Sequence, residues 1–113
     1  MMEEAEAEFA FSVTSFPYPI QRALKRATGR LEMFWPEHRW TRSQDLEEAY
    51  HDAGQFYWGR TSSYLADADA FAGRAVPVVL PRYRVQDIDS EEDWRCAEIM
   101  FRALRQYERA DAS

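Results

Sequence analysis

Two aspartates separated by one residue are the feature of the sequence most suggestive of chemistry. Asp87 and Asp89 flank Ile88, and side chains two positions apart in an extended segment project to the same side. Two carboxylates on one side can share a hard divalent cation such as Mg²⁺. Ile88 is then predicted to point the other way, into the core. Because an Asp-x-Asp pair also arises by chance in an acidic chain, solvated aspartates are the alternative on the residues alone.

A second polar group lies in a loop near the middle of the chain. Arg39, Arg42 and Gln44 place two cations and an amide close together in an otherwise acidic protein. A guanidinium group binds a carboxylate through two parallel hydrogen bonds, so this loop is suited to an acidic ligand. The alternative is that the arginines pair with carboxylates nearby in the sequence, at Glu37, Asp45 or Glu47. Exposed pairs of that kind contribute little to stability.

Aromatic and polar side chains are concentrated between Tyr50 and Arg60. The pattern predicts a short strand at residues 55–58 that follows a glycine turn at Gly54, with a site at its tip. The alternative is a buried aromatic strand with polar ends. Neither histidine of the chain has a cysteine or second histidine at ligand spacing, so a zinc site is not predicted.

Length and composition limit the functions that the sequence allows. The 113 residues are sufficient for one domain, and an apolar share of 46% predicts a folded protein. A formal charge of -6 argues against general binding to nucleic acid or to anionic membranes. Cys96 is the only cysteine, which fits a reducing cytoplasm and predicts a structural role for its thiol.

Regular elements are predicted on both sides of the aromatic stretch. Residues 9–14 alternate apolar and polar side chains and predict a strand, and residues 75–80 predict a second one. Pro77 favours either an edge position for this second strand or a place at its start. A short helix is predicted at residues 61–65, and Arg82 and Arg84 are predicted on one side of an extended segment.

Residues 20–35 predict a hairpin that exposes apolar side chains on both faces. Residues 20–24 and 31–35 each alternate in type around a loop that contains Gly29. A helix over residues 20–27 is the alternative, since Ile20, Ala23 and Leu24 also fit helical spacing.

A helix is predicted at the carboxyl end of the sequence. Ser90 and Asp93 resemble a capping box, and acidic residues favour the positive end of the helix that follows. The helix is predicted to extend to about Tyr107, with a tail from Asp111. One face is predicted to pack on the sheet through Trp94, Ala97, Phe101 and Leu104. At the other end of the chain, residues 1–8 predict a frayed helix or a solvated tail.

Several segments of the sequence together resemble a known enzyme family. The motifs are TRSQDL at residues 41–46, HDAGQFYW at 51–58 and PVVLPRYR at 77–84, together with FSVTSFPYPIQRAL at 11–24 and VQDID at 85–89 followed by Asp93 and Trp94. They look like the pseudaminic acid cytidylyltransferases, which belong to the enzymes that load CMP onto nine-carbon acidic sugars. This family is related to the CMP-sialate and CMP-Kdo synthetases.

The resemblance implies an α/β fold, specifically the carboxyl-terminal part of a three-layer α/β/α nucleotidyltransferase sheet that is Rossmann-like. Residues 1–113 would form a single partial domain. Residues 17–49 would form an excursion that carries a substrate loop and a dimerisation hairpin, with the homodimer contact at residues 20–35. The family's nucleotide-binding half, with its phosphate loop, has no counterpart in the sequence.

The resemblance also implies a reaction and the residues that serve it. CTP and pseudaminic acid, or a related nonulosonic acid, would give the CMP-sugar and pyrophosphate for surface glycan synthesis. Asp87 and Asp89 would hold Mg²⁺, Arg42 and Gln44 would bind the sugar acid, and Tyr57 would line the sugar pocket. We expect the chain to be inactive alone, as a truncated gene product, a fragment of a longer protein, or one part of a split enzyme with a separate nucleotide-binding half. The alternative is a non-catalytic association module, or truncated remnant, that keeps the dimer hairpin.

Overall fold

The chain divides into two units, each with its own sheet. The structure is a computed structural model and describes residues 7–112. The first unit, here called the sheet unit, contains the described residues up to Thr14 and those from Asp52 onward. The second, called the excursion unit, consists of Ser15–His51 and overlaps the excursion predicted at 17–49. The tail predicted at residues 1–8 lies mostly outside the described residues.

Strand β1 (Phe9–Ser15) is the central strand of a three-stranded sheet with the order β4, β1, β5. Strand β5 (Ala75–Val79) pairs with it in parallel, with Phe9 opposite Ala75. Both strands were predicted, and both predictions are confirmed. Pro77 lies on this edge strand as expected, because a proline has no N–H group to donate to a second neighbour.

Strand β4 (Tyr50–Gly59) lies on the other side of β1 and is longer than predicted. The backbone N–H of Arg60 donates to the Glu8 carbonyl at 2.9 Å, and the N–H of Phe16 donates to the Ala49 carbonyl at 3.0 Å. The start of β1 therefore lies beside the end of β4 and its end beside the start of β4, so the two strands are antiparallel. The predicted glycine turn is wrong: Gly54 lies inside β4 with φ +70°. Its N–H donates to Asp52 Oδ1 at 2.8 Å, and the strand bulges at this point instead of turning.

The core of the sheet unit is small and centres on β1. Its fully buried apolar side chains are Ala7, Phe9, Ala10, Val13 and Ala53. Thr14 is buried as well, and its Oγ1 donates to the Leu80 carbonyl at 2.7 Å. The short helix α1 (Thr61–Leu65) was predicted and completes the core, with the ring of Tyr64 edge-on to Phe9 at a centroid distance of 5.3 Å.

Gly59 makes the contact between β4 and α1 possible. A Cβ atom at this position would lie 2.5 Å from the Tyr64 ring and 2.7 Å from the Phe9 ring. Any larger residue would force these two rings apart, so the close approach depends on glycine.

Helix α2 (Glu91–Ala112) begins with the predicted cap. The N–H of Asp93 donates to Ser90 Oγ at 3.1 Å, and Asp93 Oδ2 accepts a hydrogen bond from the N–H of Asp89 at 3.0 Å. The helix continues past Tyr107 to Ala112, so Asp111 and Ala112 of the predicted tail are helical. Ser113, the last residue of that tail, lies outside the described residues. No helix in residues 7–112 combines the length and apolarity needed to cross a bilayer.

The packing face of α2 differs from the predicted stripe. Trp94 and Phe101 are 58% and 60% exposed, whereas Ala97, Met100 and Leu104 are half-buried. The main packing partner of α2 is a 3-10 helix at Arg82–Arg84, which was predicted as an extended segment. The prediction that this stripe packs on the sheet is therefore wrong for its two large aromatic members.

The excursion unit contains a short antiparallel hairpin of β2 (Leu24–Ala27) and β3 (Arg30–Met33). Thr28 and Gly29 connect the strands with φ values of 48° and 75°, which is typical of a two-residue type I′ turn. The predicted hairpin is confirmed but shorter, because a 3-10 helix occupies Ile20–Arg22. The helical alternative over residues 20–27 is wrong.

Candidate functional site

The predicted acidic pair lies in an irregular loop between the 3-10 helix Arg82–Arg84 and α2. Both carboxylates are exposed, and they interact. Repulsion from Asp87 raises the pKa of Asp89 above its usual value, with smaller contributions from a hydrogen bond to Asp87, from desolvation and from Asp93. The prediction for Ile88 is wrong: its side chain is 45% exposed and does not enter the core.

The donor atoms of this pair suit a hard cation. Carboxylate oxygens are the preferred ligands of Mg²⁺, and mutual repulsion favours a bound positive charge. Within residues 7–112, no group of three or more acidic, histidine or cysteine side chains could hold a metal. A cation at Asp87 and Asp89 would therefore complete its coordination with water or with oxygens of a substrate, which is the usual arrangement for Mg²⁺.

An open groove of about 390 Å³ lies beside the acidic loop, between that loop and α2. Gln55, Arg84 and Gln86 form part of its polar wall, and Met100 and Leu104 of α2 form part of its apolar wall. Gln55 Nε2 donates to the Arg84 carbonyl at 2.8 Å. The guanidinium group of Arg84 forms an exposed ion pair with Glu108 of α2 at 2.6 Å.

Tyr57 lies two positions after Gln55 in β4, and its side chain is 50% exposed. Its ring packs on Phe11 of β1 at a centroid distance of 5.3 Å. Tyr57 is not among the residues that line the groove beside the acidic loop. No role was predicted for Gln55 from the sequence, and its place directly after Gly54 was the signal available there.

The predicted acid-binding residues lie together in the excursion unit. Arg42 immediately precedes a 3-10 helix at Ser43–Asp45, which contains Gln44. Arg42 Nε lies 3.3 Å from Asp45 Oδ2, and both side chains are well exposed. Of the three carboxylates considered as partners for the arginines, Asp45 is the one that pairs with Arg42. Such an exposed pair is weak enough for a ligand carboxylate to replace.

The structure therefore places Arg42 and Gln44 on one loop, and Asp87 and Asp89 on another. The first pair belongs to the excursion unit, and the second pair belongs to the sheet unit with Tyr57. Cys96 lies exposed on α2, so its thiol does not fill the core.

Fold and site together define the class of the chain. Parallel pairing of β1 with β5, followed by an acidic loop and a terminal helix, makes it a mixed α/β protein with a small sheet. No known family profile matches the chain.

Curated relatives share the sequence over most of the chain. The chain is 41% identical over 98 residues to the pseudaminic acid cytidylyltransferase of Campylobacter jejuni, and the match covers 86% of the chain and 42% of the relative. A second strain of this organism gives the same values. A Helicobacter pylori protein, named pseudaminic acid cytidylyltransferase and UDP-2,4-diacetamido-2,4,6-trideoxy-beta-L-altropyranose hydrolase, is 31% identical over 81 residues, which are 72% of the chain and 16% of that protein.

These matches confirm the resemblance found in the sequence. The chain is homologous to a carboxyl-terminal portion of the pseudaminic acid cytidylyltransferases. It spans less than half the length of the curated relatives that it matches.

Proposed function

We propose that the chain supplies the sugar-binding and metal-binding part of a cytidylyltransferase. The reaction would join CMP from CTP to pseudaminic acid, or to a related nonulosonic acid, and release pyrophosphate. The observation that carries this proposal is 41% identity to enzymes of that name over 86% of the chain. A match of this extent includes the acidic loop, the aromatic strand and the arginine loop in one continuous alignment.

Asp87 and Asp89 would hold Mg²⁺ in this enzyme. The raised pKa of Asp89 supports this role, because it reports repulsion between neighbouring carboxylates that a cation would relieve. When bound, Mg²⁺ would neutralise phosphate oxygens of CTP. Asp93 would serve the site indirectly, since its carboxylate accepts a hydrogen bond from the N–H of Asp89.

Arg42, Gln44 and Tyr57 would bind the sugar. The Arg42 guanidinium group would exchange its exposed partner, Asp45, for the carboxylate of the sugar acid. Gln44 would add an amide donor from the 3-10 helix that begins directly after Arg42. Tyr57 would present its half-exposed side chain from β4.

The nucleotide-binding half would be supplied either by the same longer protein or by a separate chain. We propose that residues 1–113 are inactive alone, because the sequence contains no glycine-rich loop that opens a helix and could bind the triphosphate. A cytoplasmic location would fit a reaction that uses CTP. A homodimer through residues 20–35 would use side chains that the hairpin exposes, among them Leu24 at 54% and Leu31 at 67%.

Pyrophosphate release from CTP, pseudaminic acid and Mg²⁺ tests the proposal. The assay is run on the chain alone and again with the nucleotide-binding half of a relative added in trans. We expect turnover only in the mixture, and Asp87→Ala should reduce it about a hundredfold or more because the metal contributes several kcal/mol. Asp67→Asn is the matched control, since Asp67 is an exposed residue of the sheet unit outside the acidic loop.

The possible outcomes separate the two functions. Turnover by the mixture that is lost in Asp87→Ala and kept in Asp67→Asn supports the enzyme. No turnover under any condition, from a chain shown to be folded, contradicts it and leaves the association module as the function. Turnover that survives Asp87→Ala contradicts the assigned metal site.

A further inference from the structure

We infer that Gln55 is a positioning residue for the Asp87 and Asp89 pair. Its side chain connects strand β4 to the segment that leads into the acidic loop, through the hydrogen bond from Nε2 to the Arg84 carbonyl. This inference rests on the proposed metal site and adds to it a residue outside the acidic loop.

The bulge in β4 fixes the direction of Gln55. Ser12 in β1 is fully buried, and its Oγ accepts hydrogen bonds from the N–H groups of Gln55 at 3.1 Å and Phe56 at 3.2 Å. The preceding residue, Gly54, has φ +70° and donates its N–H to Asp52 Oδ1. Gln55 is therefore held by the central strand on one side and by the bulge on the other.

The acidic loop has few restraints of its own. Residues 85–88 have no regular secondary structure, and both aspartates are exposed. At its far end, the loop is tied to α2 through Asp93 and the N–H of Asp89. At its near end, the loop follows Arg84, whose carbonyl accepts the hydrogen bond from Gln55 and whose guanidinium group pairs with Glu108.

Arg84 takes part in two interactions, one through its backbone carbonyl and one through its side chain, and they restrain the loop to different degrees. The Arg84–Glu108 pair joins two long, half-exposed side chains, so it restrains the backbone weakly. Gln55 bonds directly to the backbone, three residues before Asp87 in the sequence, and is itself anchored to the buried Ser12. The hydrogen bond from Gln55 therefore holds the start of the acidic loop, and with it the two carboxylates, in place relative to the sheet.

The test is Mn²⁺ binding to the full chain, measured by electron paramagnetic resonance well below the unfolding temperature. Gln55→Met keeps the length of the side chain and removes the donor, and Gln55→Asn keeps the amide but shortens its reach. We expect either variant to weaken Mn²⁺ binding about three- to tenfold, as the loss of one hydrogen bond predicts. Gln106→Met is the matched control on the exposed surface of α2 and should bind like the wild type.

The readout distinguishes positioning from general stability, because a merely structural glutamine would lower the unfolding temperature and leave the affinity of the folded chain unchanged. Unchanged affinity in Gln55→Met, together with weakened binding in Asp87→Asn, would overturn the inference and leave the metal site standing. Absence of Mn²⁺ binding by the wild type, or binding that Asp87→Asn does not affect, would overturn both.

Discussion

The sheet unit and the excursion unit differ in how they bury side chains. Every fully buried side chain in residues 7–112 belongs to the sheet unit, most of them on β1. All described side chains of Ser15–His51 are half-buried or exposed, and this unit is organised by a tight hairpin and short 3-10 helices. Packing therefore stabilises one unit, whereas local turn geometry shapes the other.

The sharpest test of this difference compares one residue type in the two units. Phe9 is 3% exposed in the sheet unit, and Phe34 is 52% exposed in the excursion unit. We expect Phe9→Ala to reduce the free energy of unfolding by about 3–5 kcal/mol, and Phe34→Ala by less than about 1 kcal/mol. Urea unfolding followed by circular dichroism measures both. Equal losses would show that the excursion unit also contributes a core.

A smaller effect is expected from changing glycines. Gly59→Ala should cost about 1–3 kcal/mol, because the new Cβ would overlap the rings of Tyr64 and Phe9. Gly29 has a positive φ and open space around it, so Gly29→Asn should cost less than Gly59→Ala, since asparagine tolerates that conformation better than most residues do. Thermal unfolding midpoints compare the two variants. A neutral Gly59→Ala would mean that α1 does not pack closely on β4.

The smallest effect concerns charge. The pKa of Asp89 is raised in the folded chain, so the folded state binds this proton more tightly than the unfolded state does. The stability that Asp89 contributes is therefore fully present below the pKa of the unfolded chain. It is lost as the pH rises through the pKa of the folded chain. Asp87→Asn removes the main repulsion, so without divalent cations it should raise the thermal midpoint slightly at pH 7 and leave it unchanged at pH 3.

The control for this charge effect comes from the excursion unit. Asp45→Asn removes the exposed partner of Arg42 and should leave the midpoint at pH 7 unchanged or slightly lower. A lower midpoint for Asp87→Asn at pH 7 would contradict the repulsion between the two aspartates.

The sequence predicted well the elements whose signals are local. Alternation identified β1, a proline indicated the edge position of β5, and Ser90 with Asp93 marked the start of α2. Prediction failed for features that depend on contacts between distant parts of the chain. The buried face of α2 depends on the 3-10 helix at Arg82–Arg84, and helical spacing alone could not reveal that Met100 would face inward and Phe101 outward.

The candidate site shows the same limit. The proximity of Asp87 and Asp89 followed from their spacing, but the tie from Gln55 joins residues far apart in the sequence. Glycine favours a positive φ, which occurs both in turns and in bulges, so Gly54 was predicted to form a turn. The bulge is stabilised by the buried Ser12 hydroxyl, which accepts a hydrogen bond from the N–H of Gln55.

The pairing of β1 with β5 has a consequence for the order of events during synthesis. Phe9 pairs with Ala75, so the central strand leaves the ribosome long before its parallel neighbour exists. The two-residue loop of the β2–β3 hairpin can close as soon as residues 24–33 emerge, on the microsecond scale of local contacts. The parallel pair must close a much longer loop, so we expect it to form after the hairpin.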